Sequence, residues 1–439
     1  MAAPDAGPSG TDEPKRPEAP RRFTRRGLLG GLGLAGAGAA SATAVAGAGS
    51  LLALSSPPAS AALRLERQVV GFRGAHQAGI VTPAQDRLAF ATFNVLEGTS
   101  RQSLHDMLDD WSQAAERMTK GQLVGDSSDL NSAPLDTGEA LGSAVGHLTV
   151  TLGLGPSLFD GRFGLADRRP AALVDLPALP NESLDPNYTG GDLCIQACSD
   201  DPLVAFHAVR NLARLGSGVV EHDWMELGFG RTSTTSTAQA TPRNLLGFKD
   251  GTRNIKAEQS DLLDRYVWIG HETDQPWLRG GSYLVVRRIR MFIENWDRDN
   301  LSDQERVIGR VKESGAPLSG GSESTEPRFG ARNDSGQLLI PPDAHIRLAS
   351  HERNGGTRLL RRGYSYTDGI DPVRGTLLGG LFFIAFMKHP AQFIDLQTKL
   401  GTSDALNEYI QHTGSALFVC PPGLASHRSW GSQIFAHPE

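Results

Sequence analysis

With 439 residues, 39% of them hydrophobic and 21% charged, the chain is long enough for two packed cores and too apolar to be disordered throughout. A net charge of −6 excludes a nucleic-acid partner bound through a basic surface. Three cysteines exclude a disulfide framework, and Cys194 and Cys198, four apart on a strand pattern, would lie about 13 Å from each other.

Residues 1–26 are rich in Pro, Gly and charge, and Gly27 to Leu54 then run without a charge. Thr24-Arg25-Arg26-Gly27-Leu28-Leu29 sets two arginines before this mildly hydrophobic stretch, and Ala59-Ser60-Ala61 has the small side chains of a cleavage site. The pattern predicts a twin-arginine signal over residues 1–61. It implies export to the periplasm, cell envelope or exterior, and a mature chain from Ala62 without a stable membrane span. A membrane anchor is the alternative, since the run could cross a bilayer, but Gly and Ala supply little apolar area. Removing residues 1–61, with six Lys/Arg and four Asp/Glu, takes the net charge to −8.

In the mature chain, Gln68–Phe72 and Leu88–Val95 read as strands, and a helix follows. Thr99 and Gln102 fit a capping box, and Leu104, Met107, Leu108, Trp111, Ala115 and Met118 fall along one helical face. A long Gly/Pro/Asp-rich connection, 152–190, leads to the Cys194 strand and a second amphipathic helix carrying Leu203, Phe206, Val209 and Leu212. A comparable unit recurs: a strand over Ser282–Phe292, a helix opened by Ser302 and Glu305, an apolar strand over Leu381–Phe386, and a helix around Ala405 to Gln411. Residues 319–337 read as a mobile surface loop. The predicted fold is α+β with antiparallel sheets, in two similar halves, 62–230 and 231–439.

Two segments concentrate candidate chemistry. Gly247-Phe248-Lys249-Asp250-Gly251-Thr252-Arg253-Asn254 sets one acid among turn residues; it is either an Asp-Gly turn bonded to its own backbone or an acid held at a bend facing a pocket. His345-Ile346-Arg347-Leu348 alternates polar and apolar positions without the spacing of a zinc site, so composition leaves the role of His345 open.

Together these stretches resemble the dye-decolourising peroxidase family. Gly247-x-x-Asp250-Gly251 is similar to its distal motif, His345-Ile346-Arg347-Leu348 to its proximal histidine segment, and Leu360-Arg361-Arg362-Gly363-Tyr364-Ser365-Tyr366 to the segment with its distal arginine. Gly161–Asp167, Gly190–Cys198, His207–Ala213 and Gly414–Pro422 extend the likeness in order over nearly all of the mature chain. The resemblance implies two ferredoxin-like domains of the dimeric α/β-barrel type, with haem b in the C-terminal half. The implied activity is reduction of hydrogen peroxide and oxidation of bulky dyes or phenols through a ferryl intermediate. It points to the exported branch that includes a deferrochelatase. Handling of haem for iron release, or service as redox partner in maturation of another exported enzyme, are the alternative readings. A homo-oligomer and an exported redox or iron-uptake partner are compatible associations.

The resemblance places His345 as axial iron ligand and Asp250 with Arg361 as the pair that activates peroxide, with Arg362 competing for the arginine role. A carboxylate on the second imidazole nitrogen would come from the C-terminal helix, where Asp404 and Glu408 lie four apart; Glu408 is preferred. Arg253 and Arg347 are candidates for the haem propionates. Tyr364 and Tyr366, just past Arg361, are candidates for an electron path or for buried packing. A carboxylate shuttle predicts an acidic activity optimum.

Overall fold

Among the described residues nine strands form: β1 Arg87–Val95, β2 Thr149–Leu154, β3 Leu193–Ser199, β4 Val220–Arg231, β5 Ser282–Met291, β6 Leu360–Arg361, β7 Tyr364–Ile370, β8 Leu377–Met387 and β9 Ile410–Cys420. They come from a computed structural model that describes residues 68–125 and 130–435. The signal and cleavage site read in residues 1–61 lie outside the described residues. All strand pairings are antiparallel, in the order β5-β9-β2-β3-β1-β4-β7-β8-β6, and β5 also pairs β8. That extra pairing closes the sheet into a barrel, which removes exposed edges. Each half has the ferredoxin-like order, β2-β3-β1-β4 and then β9-β5-β8-β7.

Strand alternation divides the barrel. Phe90, Trp224, Leu284, Val286, Tyr364, Phe382, Ile384 and Phe418 fill the interior together with Cys194, Cys198 and Cys420, all three free and buried. Arg288 also points inward. Its guanidinium, 4.2 Å from the Tyr366 ring centroid and 4.4 Å from that of Tyr188, pairs with Glu226 at 2.8 Å and with Asp368. Burial pushes the Glu226 carboxyl up to about 7, against the pull of Arg288.

Two helices, α1 Arg101–Thr119 and α2 Pro202–Leu215, cover the N-terminal strands with a face including Leu104, Met107, Leu108, Trp111, Val209 and Leu212. Ser100, rather than Thr99, caps α1 by accepting from the Ser103 N–H. His207 of α2 and Asp136 form a buried pair at 2.9 Å, and Asp136 also accepts from the N–H groups of Val124 and Gly138. Gln68–Phe72 is irregular rather than a strand, and the 152–190 connection contains the end of β2 and four short 3₁₀ turns.

In the C-terminal half come α3 Ser260–Tyr266, α4 Ile293–Trp296, α5 Leu301–Ile308, α6 His345–Ala349, α7 Ala391–Ser403 and α8 Trp430–Phe435. Asn300, not Ser302, caps α5. The expected helix at Ala405 to Gln411 is a 3₁₀ turn, Ala405–Glu408, that runs into β9. The 319–337 loop is tied back by its own side chains and backbone, with Glu323 binding Lys249 and Arg328 donating to Ser319 O at 2.6 Å. No helix among the described residues is long and apolar enough to cross a membrane.

Candidate active site

A cavity lies on the outer face of β5, β8 and β9. Ile289, Met291, Leu381, Phe383, Ile410 and His412 line it, while Phe382 and Ile384, one residue out of phase, point into the barrel. His345 opens α6 and faces this cavity, with 32% of its side-chain surface open. Its Nδ1 lies 2.6 Å from Asp404 Oδ2. No hydrogen bond engages Nε2 among the described residues, so that nitrogen is available to a ligand in the cavity. Burial acts to lower the imidazole's pKa, but Asp404 outweighs it and the net shift is upward.

Asp404, and not Glu408, is therefore the carboxylate on the histidine. The expectation failed because it assumed an α-helix, in which residues four apart share a face. Asp404 is instead the N-cap of the 3₁₀ turn: its Oδ1 accepts from Leu406 N at 2.9 Å and its Oδ2 turns to His345, whereas Glu408 is exposed.

Asp250 and Arg361 also line the cavity and act electrostatically on His345. The Asp-Gly turn depends on Gly251, whose φ is +82° and where a Cβ would meet Ser233 Cα at 2.7 Å. Asp250 Oδ1 accepts from Gly251 N at 2.7 Å and from Arg361 Nη1 at 3.2 Å, and Oδ2 accepts from Asn244 Nδ2 at 3.1 Å. Both readings of the turn thus hold together, since the acid bonds its own backbone and faces the pocket. Asn254 clamps the two segments, accepting from Arg361 N and donating to Arg361 O, each at 2.8 Å.

The adjacent Arg362 is fully buried and turned away, donating to Thr82 O, Thr235 Oγ1 and Gln85 Oε1. Arg253, in a left-handed conformation with φ +64°, lines the cavity and pairs with Glu352 at 2.5 Å. Arg347 does not line the cavity. Its guanidinium donates to the carbonyls of Phe329, Ile340 and Pro341, which makes it a clamp on the loop that enters α6. Tyr364 and Tyr366 pair with Phe382 and Gly380 and lie inside the barrel, on the sheet face opposite the cavity.

Sequence reasoning missed three further parts of the wall. Arg310, 5% exposed, donates to the carbonyls of Gly315 and Glu323 and has no carboxylate within ion-pair distance among the described residues. Burial and the neighbouring Arg253 push its guanidinium down to about 10. Arg358 lines the rim, 2.6 Å from His351 Nε2. Deeper in, buried Arg287 pairs with Glu182 and donates to His412 Nδ1 at 3.3 Å. Burial, reinforced by Arg287, lowers His412 to about 3, so that imidazole is neutral. None of these three carried a signal in the sequence, because each depends on distant segments meeting.

The arrangement therefore offers an imidazole nitrogen backed by a carboxylate, an acid–arginine pair, apolar walls, and cations at the rim. Comparison with known proteins agrees with it. The family models described as Dyp-type peroxidase, N-terminal and C-terminal, match residues 77–230 and 241–425. The chain is 38% identical over 421 residues to a dye-decolorizing peroxidase of Thermobifida fusca, covering 91% of this chain and 94% of that protein. It is 38% identical over 371 residues to a deferrochelatase of Yersinia pseudotuberculosis, covering 82% and 83%. The structure of ferric DtpA from Streptomyces lividans superposes with a TM-score of 0.77 at 39% identity, covering 83% of this chain and 96% of that one. The chain belongs to the Dyp-type peroxidase family and is a haem-dependent peroxidase.

Proposed function

We propose that the cavity on β5, β8 and β9 holds haem b with His345 as axial ligand, and that Asp250 and Arg361 activate hydrogen peroxide there. The observation that carries this reading is the free Nε2 of His345, set by the Asp404 bond, in a cavity that also contains the Asp250–Arg361 pair. The residues fit the cofactor. Ile289, Leu381 and Phe383 suit an apolar macrocycle, and the buried Arg310 guanidinium, without a carboxylate partner, suits a propionate, with Arg253 and Arg358 beside it. When bound, haem supplies a redox-active iron that gives two electrons to peroxide and recovers them one at a time from a reductant.

The protein's part is proton transfer and charge stabilisation. A carboxylate has about four acceptor positions, and Asp250 uses three on Gly251, Asn244 and Arg361. The remaining position accepts a proton from one peroxide oxygen and returns it to the other, which leaves as water. Arg361 stabilises the negative charge that develops on the departing oxygen. A site that only stores or releases haem needs neither group, which favours oxidation over haem handling; dyes and phenolic compounds are the reductants.

The same reading assigns residues 62–230 and 231–439 to two domains and residues 1–61 to a twin-arginine signal that exports the enzyme. The support for export is Arg25-Arg26 before an uncharged Gly/Ala run and a small-residue cleavage site. Stopped-flow spectroscopy of haem-loaded protein with one equivalent of peroxide tests the site. Asp250→Ala and Arg361→Ala should slow the fast optical change by about 10²–10⁴-fold without loss of haem, and His345→Ala should lose haem. Wild-type rates in both distal variants would refute the assignment.

A further inference from the structure

Asp404 supports His345 only while the turn it caps stays in place. That turn, Ala405–Glu408, is four residues long, so its position is set mainly by what it is tied to. Two ties come from the C-terminal half. Asp404 N donates to Leu400 O on α7, and Ala405 N donates to Asp343 O, two residues ahead of His345, each at 3.0 Å. Asn407 adds to the first tie, because its Nδ2 donates to Leu400 O at 2.8 Å and to Gly401 O at 3.1 Å. Carbonyl oxygens only accept, so these two bonds fix the amide and leave Asn407 Oδ1 needing a donor.

The donor comes from the N-terminal half. Asn181 Nδ2 reaches Asn407 Oδ1 at 3.0 Å and Ile410 O, at the start of β9, at 3.3 Å. Asn181 lies on a strap, residues 179–190 of the connection between β2 and β3, that runs along β9. Ser183 N donates to His412 O at 2.9 Å, Asp185 N to Thr413 O at 2.8 Å and Gly190 N to Ser415 O at 3.0 Å. Glu182 pins the strap, accepting from Leu179 N at 2.9 Å and pairing with the buried Arg287. Pro180 packs on the end of α7, where a Cβ at Gly401 would meet Pro180 O at 2.5 Å. Asn181 itself is left-handed, with φ +64°, a conformation that Asn tolerates better than most residues with a side chain.

We propose that Asn181 is a positioning residue for the axial histidine. Through Asn407 it holds the Ala405–Glu408 turn so that Asp404 Oδ2 stays 2.6 Å from His345 Nδ1. The N-terminal half thereby sets the anionic character of an imidazole that the C-terminal half presents to the cofactor. Loss of the Asn181 amide leaves Asn407 Oδ1 without its donor and lets the turn relax, which lengthens the Asp404–His345 bond without removing it.

This inference rests on His345 being the axial ligand, and the test keeps the two apart. Haem-loaded full-length protein is titrated by spectroelectrochemistry, and hydrogen exchange is followed in peptides covering residues 400–410. Asn181→Gly keeps the left-handed backbone and removes only the amide. It should favour ferrous over ferric iron about three- to tenfold, a rise of about 30–60 mV in the midpoint potential, and speed exchange at the turn about fivefold or more. Asn181→Asp, which also tolerates the backbone but sets an acceptor where the donor stood, should shift both in the same direction and keeps the test open if the glycine variant folds poorly. Thr189→Val removes the bond from Thr189 Oγ1 to Asp185 O within the strap, and should leave the potential as in wild type. Combined with Asp404→Asn, Asn181→Gly should change the equilibrium by no more than about 1.5-fold, or about 10 mV, because its route to the iron is already cut. An unchanged potential in both Asn181 variants, a shift of equal size in Thr189→Val, or a full further shift in the Asp404→Asn background overturns the positioning role alone. Retention of the wild-type ferric spectrum and haem content in His345→Ala overturns the axial assignment and this role with it.

Discussion

Replacing Asp404 by Asn tests the proximal side of the site most directly. The two carboxylate oxygens do different work: Oδ2 takes the His345 Nδ1 bond at 2.6 Å and Oδ1 caps the turn at Leu406 N, 2.9 Å away. An amide has one acceptor oxygen, so Asp404→Asn must give up either the cap or the histidine bond, and in both cases the charge is gone. A hydrogen bond to a charged group contributes about 1.5–3 kcal/mol and a neutral one about 0.5–1.5 kcal/mol, so the imidazole loses roughly 1–2 kcal/mol of anionic support. That support favours the more highly charged ferric iron. For a one-electron couple, where a tenfold change in the equilibrium constant is about 59 mV, the loss corresponds to a rise of about 40–90 mV in the ferric/ferrous midpoint potential. Spectroelectrochemical titration of the haem-loaded protein reads this shift, with Glu408→Gln as the comparison. An unchanged potential in Asp404→Asn, or an equal shift in Glu408→Gln, would refute the assignment of the carboxylate.

The remaining predictions address the cavity rim, the barrel and the N-terminal half. Arg310→Met should weaken haem retention by roughly ten- to a hundredfold, a loss of about 1.4–2.7 kcal/mol, read as faster transfer of haem to a scavenging globin; wild-type transfer rates would remove Arg310 from the propionate site. Glu226 holds its proton to about pH 7 in the folded barrel but only to about 4.5 in the unfolded chain, so its contribution is fully present below pH 4.5 and falls by roughly 3 kcal/mol as pH rises to 7. Urea denaturation across that range should therefore show a shallower decline in Glu226→Gln than in wild type, and parallel curves would show that the carboxyl does not titrate as described. Asp136→Asn breaks a pair in which both side chains are nearly fully buried, and should cost about 3–5 kcal/mol of unfolding free energy; a loss below about 1 kcal/mol would mean that the pair is not structurally important.

Some of this was legible in local signals. The Asp-Gly bend was legible because Gly251 must adopt a positive φ beside a backbone that leaves no room for a Cβ. The amphipathic faces of α1 and α2 were legible from helical spacing, but the caps of α1 and α5 were not placed correctly. Ser100 and Asn300 stand close to the residues first chosen, and capping is decided by the local turn rather than by composition. His345 was identified through resemblance, since its spacing alone said nothing. Asp404 was misjudged in favour of Glu408 because the sequence does not show that the chain enters this turn as 3₁₀ and leaves it as strand. Arg310 was invisible because its lack of a carboxylate partner is a property of the packed wall, not of residues 305–315.

Barrel closure explains why neighbours in sequence part company in space. Arg361 ends β6 facing the cavity, whereas Tyr364 and Tyr366 begin β7 facing the interior, and Gly363 makes the passage between them. A Cβ at Gly363 would stand 2.8 Å from Thr232 Oγ1 and 3.2 Å from Phe382 O, so the backbone can pass there only without a side chain. The interior is filled by aromatic rings and thiols that hold the two ferredoxin-like sheets together. The outer face of β5, β8 and β9 is left for chemistry. Asp250, His345, Arg361 and Asp404 come from four separate segments, and each is fixed by a hydrogen bond to another of them or to a neighbouring backbone group. Such a site needs a rigid surface more than it needs any one strand, and a closed barrel, with no edge strand to fray, provides that surface.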